Sequence, residues 1–261
     1  MAVSAPAPPP RAAVTPGLAM VPAALSGPVR ATGPSASQAP LLALADALPG
    51  AGAQRVTELL ARHARRALGG HVLALGPGVL GAGLGGGAPA SLEALSRRLA
   101  RGVPVRGALW GVAARDRQGR ECRVINGDPR ACEPSGLEAL LALARVPAAH
   151  ALVVAWSKGP EHLQRTASHV ARVLPAAADR LDAARRALAG APVPAAGREL
   201  LIACRAREEP AASRRALKGL AAERGSALLL LPHLGEPGER PARALREAQV
   251  GLQALCGWVS R

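Results

Sequence analysis

Along this chain, short unbroken apolar runs alternate with longer stretches in which apolar residues recur every three or four positions. HVLALG (71–76), HALVVAW (150–156), RELLIACRA (198–206) and SALLLLP (226–232) are too short and too uniformly apolar for amphipathic helices, and turn residues bound them. They predict strands buried on both faces. The periodic stretches predict helices: ASLEALSRRLARG (90–102), EPSGLEALLALARV (133–146), AASRRALKGLAAERG (211–225) and PARALREAQVGLQALCGWV (241–259). EHLQRTASHVARVL (161–174) and DRLDAARRALAG (179–190) predict a helix or a helix pair interrupted at Pro175. VRGALWGVAARDRQGRECRVING (105–127) predicts two strands around the turn Asp116–Gly119.

The start of the chain has a different texture. Residues 1–40 are rich in Ala, Pro, Ser and Gly without a sustained period, which predicts a disordered tail. LLALADAL (41–48) and AQRVTELLARHARRAL (53–68) predict two helical pieces broken at Pro49-Gly50, a helical lead-in over 41–70. In the second piece Val56, Leu59, Leu60, Ala64 and Leu68 share one face, with Arg62, Arg65 and Arg66 largely opposite.

Strands alternating with helices of this length predict an α/β domain over 71–261: a mostly parallel sheet with one β-hairpin and helices on both faces. Leu, Val and Ala must build its core, since the chain has no Phe, no Tyr and three Trp.

Composition then narrows the function classes. The net charge of +15 comes almost wholly from arginine, which favours anionic partners: nucleic acid, acidic proteins or a membrane surface. The scarcity of aromatics argues against a stacking platform for single strands. Arg/Ala/Gly/Pro enrichment is also what GC-rich codons encode, and the arginines are spread along helices. Cys122, Cys132, Cys204 and Cys256 form no CxxC pair, which favours free thiols in a reducing compartment over zinc or a disulfide scaffold. No apolar stretch is long enough for a membrane span, so cytoplasm or nucleus is the expected location, ahead of organellar import.

Glycines follow the 71–76 run as Gly76-Pro77-Gly78-Val79-Leu80-Gly81-Ala82-Gly83. Gly76 and Gly81 carry the G-x-x-x-x-G spacing that lets backbone N–H groups wrap a phosphate at a helix N-terminus. Ala82 and Gly83 stand where such a loop needs Lys and Ser/Thr. The order strand, glycine loop, helix, hairpin, helix and three strand–helix units resembles the Ras-like small GTPase fold. That resemblance implies a P-loop architecture, an Asp-x-x-Gly motif near Asp128 with Ala131 in the glycine's place, and a guanine-reading motif at Cys204–Arg207. In the latter, Cys204 replaces the asparagine and Arg207 the base-accepting aspartate; arginine has no acceptor. With those groups gone, the resemblance implies a non-catalytic pseudo-GTPase. It would be a scaffold or adaptor in an intracellular complex, with no enzymatic role, no cofactor and protein partners. The alternative is a basic α/β module binding RNA or DNA backbone.

The remaining chemical candidates have ordinary readings. Asp128 before Pro129 suits a turn, Cys204 a small buried residue, and Ser157-Lys158 a solvated loop. His162 and His169, seven apart on one expected helix, lack a carboxylate to complete a metal set. Arg62, Arg65, Arg66, Trp110 and Trp258 are the candidates for contacts with a partner or for anchoring.

Overall fold

The computed structural model of the chain describes residues 38–68, 72–76, 91–103, 105, 112–115, 121–146, 151–156, 161–175, 177–192, 194, 198–204, 211–232, 234 and 241–261. Its elements run β1 (Leu41–Asp46), α1 (Ala53–Leu68), β2 (Val72–Gly76), α2 (Leu92–Ala100), β3 (Val112–Arg115), β4 (Glu121–Asn126), α3 (Pro134–Ala144), β5 (Leu152–Trp156), α4 (Glu161–Thr166), β6 (His169–Leu174), α5 (Leu181–Ala189), β7 (Glu199–Cys204), α6 (Ala211–Glu223), β8 (Ala227–Leu231) and α7 (Pro241–Val259).

The strands form one eight-stranded sheet in the order β3-β4-β2-β5-β1-β6-β7-β8. Edge strand β3 is antiparallel to β4, and the other pairings are parallel. Successive side chains of a strand point to opposite faces. Leu42 and Leu44 of β1 therefore pack under α1 and α7 in one core cluster. Leu41 and Ala43 face the opposite layer, where α2, α3 and α4 cover them. The sheet face beyond β6 is closed by α5 and α6 over Leu174, Leu201 and Ala203.

Two segments differ from their expected form, for one physical reason. Leu41–Asp46 is a strand rather than the first helix of a lead-in, and it lies in the middle of the sheet between β5 and β6. His169–Leu174 is likewise a strand, with α4 ending at Thr166. LLALAD and HVARVL are covered on both faces, so they carry no polar alternation, and their Leu and Ala residues favour helix locally. Burial decides against that local preference: Leu41, Leu42, Val170 and Val173 are all fully buried. With α4 ending before His169, His162 and His169 share no helix face.

Candidate functional site

In an open α/β sheet the place to look for a site is the carboxyl edge, where connections from neighbouring strands leave over opposite faces. Here that place is the end of β1. Its connection runs into α1 on one face, while the helices that follow β5 and β6 cover the other.

The segment between β1 and α1 is a tight loop. Leu48-Pro49-Gly50-Ala51 closes with Ala51 N–H donating to the Leu48 carbonyl at 3.0 Å. Proline at the second position and Gly50 with φ +78 at the third are the signature of a type II turn. Arg180 braces the loop by donating to the Pro49 carbonyl at 3.0 Å. Gly52, with φ +109, then turns the chain into α1, a conformation that side-chain-bearing residues rarely adopt.

A helix start leaves N–H groups without intrahelical partners. Gly52 has no side chain to cap them, and the cap comes from the strand instead. The Asp46 carboxylate, at the end of β1, accepts the Ala53 N–H at 2.7 Å. Its charge also reaches the end of β7: burial, and secondarily Asp46, push the Cys204 thiol up to about 12.

Strand, glycine turn and helix N-terminus in this order make the backbone plan of a phosphate loop. The last three positions of that motif, G-K-[ST], fall on Gly52-Ala53-Gln54. Ala53 supplies no ammonium for a β/γ-phosphate and Gln54 no hydroxyl for Mg²⁺. A magnesium triphosphate does not fit these side chains; the motif's first glycine is replaced by Ala47, and the Ala47 and Ala51 N–H groups donate to the Val173 and Leu48 carbonyls.

The glycines expected to form such a loop lie one strand further on. Gly76 ends β2 with φ +146, and its carbonyl accepts the Gly127 N–H at 3.3 Å. Gly78, Gly81, Ala82 and Gly83 fall outside the described residues, as do Arg207, Trp110, Ser157 and Lys158. Asp128 sits in a turn: its side chain accepts from the Arg130 backbone N–H at 3.0 Å and pairs with the Arg130 guanidinium at 2.6 Å. Cys204 closes β7, and Cys132 and Cys256 are buried. Burial pushes both of the latter thiols up to about 11, so none of these sulfurs is poised as a nucleophile.

Arg62 is ion-paired with Glu58 on α1 at 3.3 Å, and Arg65 and Arg66 follow on the same helix. Trp258 meets the His169 ring edge-on at 4.8 Å, at the opposite end of the strands from the loop. Burial, together with the Arg198 guanidinium, pushes His169 down to about 4. Among the described residues no group of three or more His, Cys, Asp or Glu could hold a metal ion.

The turn that matters was thus open to view as PGAG between two apolar runs. It is missed because the run before it resembles a helix and the richer glycine tract follows β2.

No protein-family profile matches the chain, and no curated protein matches its sequence. Solved structures do match its fold. A ParA family ATPase from Chlorobium tepidum superposes with TM-score 0.60 at 13% identity, over 86% of this chain and 99% of that one. The MinD cell division protein of Aquifex aeolicus gives TM-score 0.60 at 11% identity, over 85% and 97%. The pNOB8 ParA bound to nonspecific DNA gives 0.52 at 13%, over 85% and 98%. These neighbours overturn the Ras-like resemblance, and with it the non-catalytic pseudo-GTPase scaffold without enzymatic role that the resemblance implied. The fold is the P-loop architecture of ParA- and MinD-type ATPases, at identities that establish the fold alone.

Proposed function

We propose that this chain is a ParA/MinD-type P-loop protein that acts in partitioning or positioning inside the cell and holds DNA through its phosphate backbone. The observation that carries this reading is an exposed cationic stripe on α6, with a further arginine on the neighbouring helix α5. Arg214, Arg215 and Lys218 are exposed on α6 and Arg186 on α5. None of them makes an ion pair with a described residue, whereas neighbouring Arg185 is neutralised by Asp182 at 3.5 Å and Glu223 at 3.1 Å. A solvated stripe of this kind suits phosphates read without regard to sequence, each neutralised phosphate releasing counterions. The DNA-bound pNOB8 ParA shares the fold.

The test is fluorescence anisotropy on duplex DNA of arbitrary sequence, titrated with salt. Affinity should fall linearly on a log–log plot, with a slope of about −0.9 for each phosphate contacted. The triple variant R214A/R215A/K218A should weaken binding and flatten that slope while leaving the circular dichroism unchanged. Absence of binding at low salt, or an unaltered slope in the variant, would remove the reading.

A protein partner is the second reading: the fold is shared with MinD in the MinC:MinD cell division protein complex of Aquifex aeolicus. No helix among the described residues is long and apolar enough to cross a membrane.

A further inference from the structure

The two edges of the sheet are finished differently. β3 is four residues long, antiparallel to its neighbour, and ends on Arg115. β8 is Ala227-Leu228-Leu229-Leu230-Leu231, parallel to β7, with no charge and no proline. Open N–H and C=O groups along an apolar edge are a template for another strand, and proteins ordinarily blunt such an edge with a charge, a proline or a bulge. On the side away from β7, no backbone group of β8 bonds to a described residue. Ala227 is exposed, and Leu228, Leu229 and Leu230 are only half-buried.

Both faces along this edge are apolar. Leu228 and Leu230 pack against the core under α5 and α6, and Leu229 packs against the core under α1 and α7. A strand laid along β8 would extend two apolar layers at once, its side chains alternating between them.

The charge of the occupant is set by α6. Glu223 marks the flank of α6 that faces α5, because it pairs with Arg185 at 3.1 Å. At about 100° per residue, Arg214 and Lys218 lie on the other flank, toward the open side of β8. Both are exposed, and neither makes an ion pair with a described residue. A second copy pairing through β8 about a two-fold axis would set these cations against their own images. An acidic segment meets them with the opposite charge.

We propose that the outer edge of β8 accepts an extended segment of an acidic partner protein as a further strand. Its backbone pairs with β8, its apolar side chains cover Leu228, Leu229 and Leu230, and its carboxylates reach Arg214 and Lys218. This inference does not depend on DNA binding by α6.

The probes are two short synthetic peptides of alternating valine and isoleucine, one flanked at both ends by glutamates and the other by lysines. Binding to the full chain is followed by fluorescence anisotropy and by hydrogen–deuterium exchange. The glutamate peptide should bind roughly tenfold more tightly than the lysine peptide and slow exchange at the amides of Ala227–Leu231. Methylating the peptide's backbone nitrogens leaves its side chains and charges in place and should remove both effects. The double variant Arg214→Glu/Lys218→Glu leaves β8 intact and should reverse the preference between the peptides. If the chain alone sediments as a dimer with its β8 amides already protected, a second copy holds the edge and the proposal fails. It also fails if the two peptides bind alike, if methylation changes nothing, or if duplex DNA slows exchange at β8 as the glutamate peptide does.

Discussion

Arg172 on β6 and Glu199 on β7 form an ion pair inside the protein: Nε to Oε1 is 2.7 Å, with the side chains 4% and 8% exposed. Glu199 is shared. Arg224 at the end of α6 reaches its Oε2 at 2.8 Å, and the Ser226 hydroxyl donates to Oε2 at 2.6 Å. The spare guanidinium donors go to the Pro192 and Leu188 carbonyls. One carboxylate thus fastens β6, β7, α6 and the start of β8 on the face that α5 and α6 cover.

Removing that carboxylate leaves two cations buried against each other. Glu199→Gln should therefore cost about 3 kcal/mol, the range found when one partner of a buried pair is lost. Burial by itself would raise the Glu199 carboxyl, but Arg224, Ser226 and Arg172 outweigh it and hold it below its ordinary range. A carboxyl depressed in the folded state contributes stability above its unfolded value, about 4.3, and loses that contribution as pH falls through the folded value. Urea unfolding should show the wild type losing stability below about pH 4 more steeply than Glu199→Gln. Parallel curves would mean the carboxylate is not the acid-sensitive clamp.

How much of this was open to view in the sequence depends on how each element is buried. Helices α1, α2, α3, α5, α6 and α7 present one apolar stripe to the sheet, so their spacing announces them. Strands β2, β5, β7 and β8 stand out as short apolar runs between breakers. β1 and β6 do not, because LLALAD leads into an apolar Ala-Leu and HVARVL follows α4 after only Ala167-Ser168. Losing β1 hides the site as well, since Asp46 and Ala53 meet only once the strand is placed beside the helix it feeds. Asp46 is then unremarkable in a list of acids, and the glycine tract after β2 draws attention away from Pro49-Gly50-Ala51-Gly52.

His169 supplies a titration in a different window. Its Nε2 lies 3.2 Å from Arg198 Nη1, which fixes the neutral ring as the acceptor. The folded value is about 4, lowered by burial first and Arg198 second. The unfolded chain takes up this proton near 6.5, as an ordinary histidine does. Between those values the unfolded state binds more protons, so stability falls as pH drops from about 6.5 to about 4 and this group adds no further loss below. His169→Gln keeps an acceptor for Arg198 and removes the titration. Its stability curve should be flatter across that window by up to about one proton, and an unchanged slope would refute the assignment.

Two glycines give the same substitution opposite signs. Gly136 lies in the first turn of α3 where that helix crosses α2, and a Cβ there would fall on the Ser96 carbonyl backbone. The Ser96 hydroxyl donates to the Glu133 carbonyl at 3.0 Å, so the two helices are tied at the point of closest approach. A methyl group cannot be fitted by rotating a side chain, because the obstacle is backbone. Gly136→Ala should cost about 3 kcal/mol as the helices separate. Gly219 is exposed within α6, has ordinary φ, and meets nothing within 4 Å of its would-be Cβ. Gly219→Ala should stabilise the protein by about 0.5–1 kcal/mol through helix propensity and a less flexible unfolded chain. Thermal melts of the two variants should move in opposite directions. If Gly136→Ala melts like the wild type, α2 and α3 are not in the close contact described, whereas a loss at Gly219 would place a neighbour against the open face of α6.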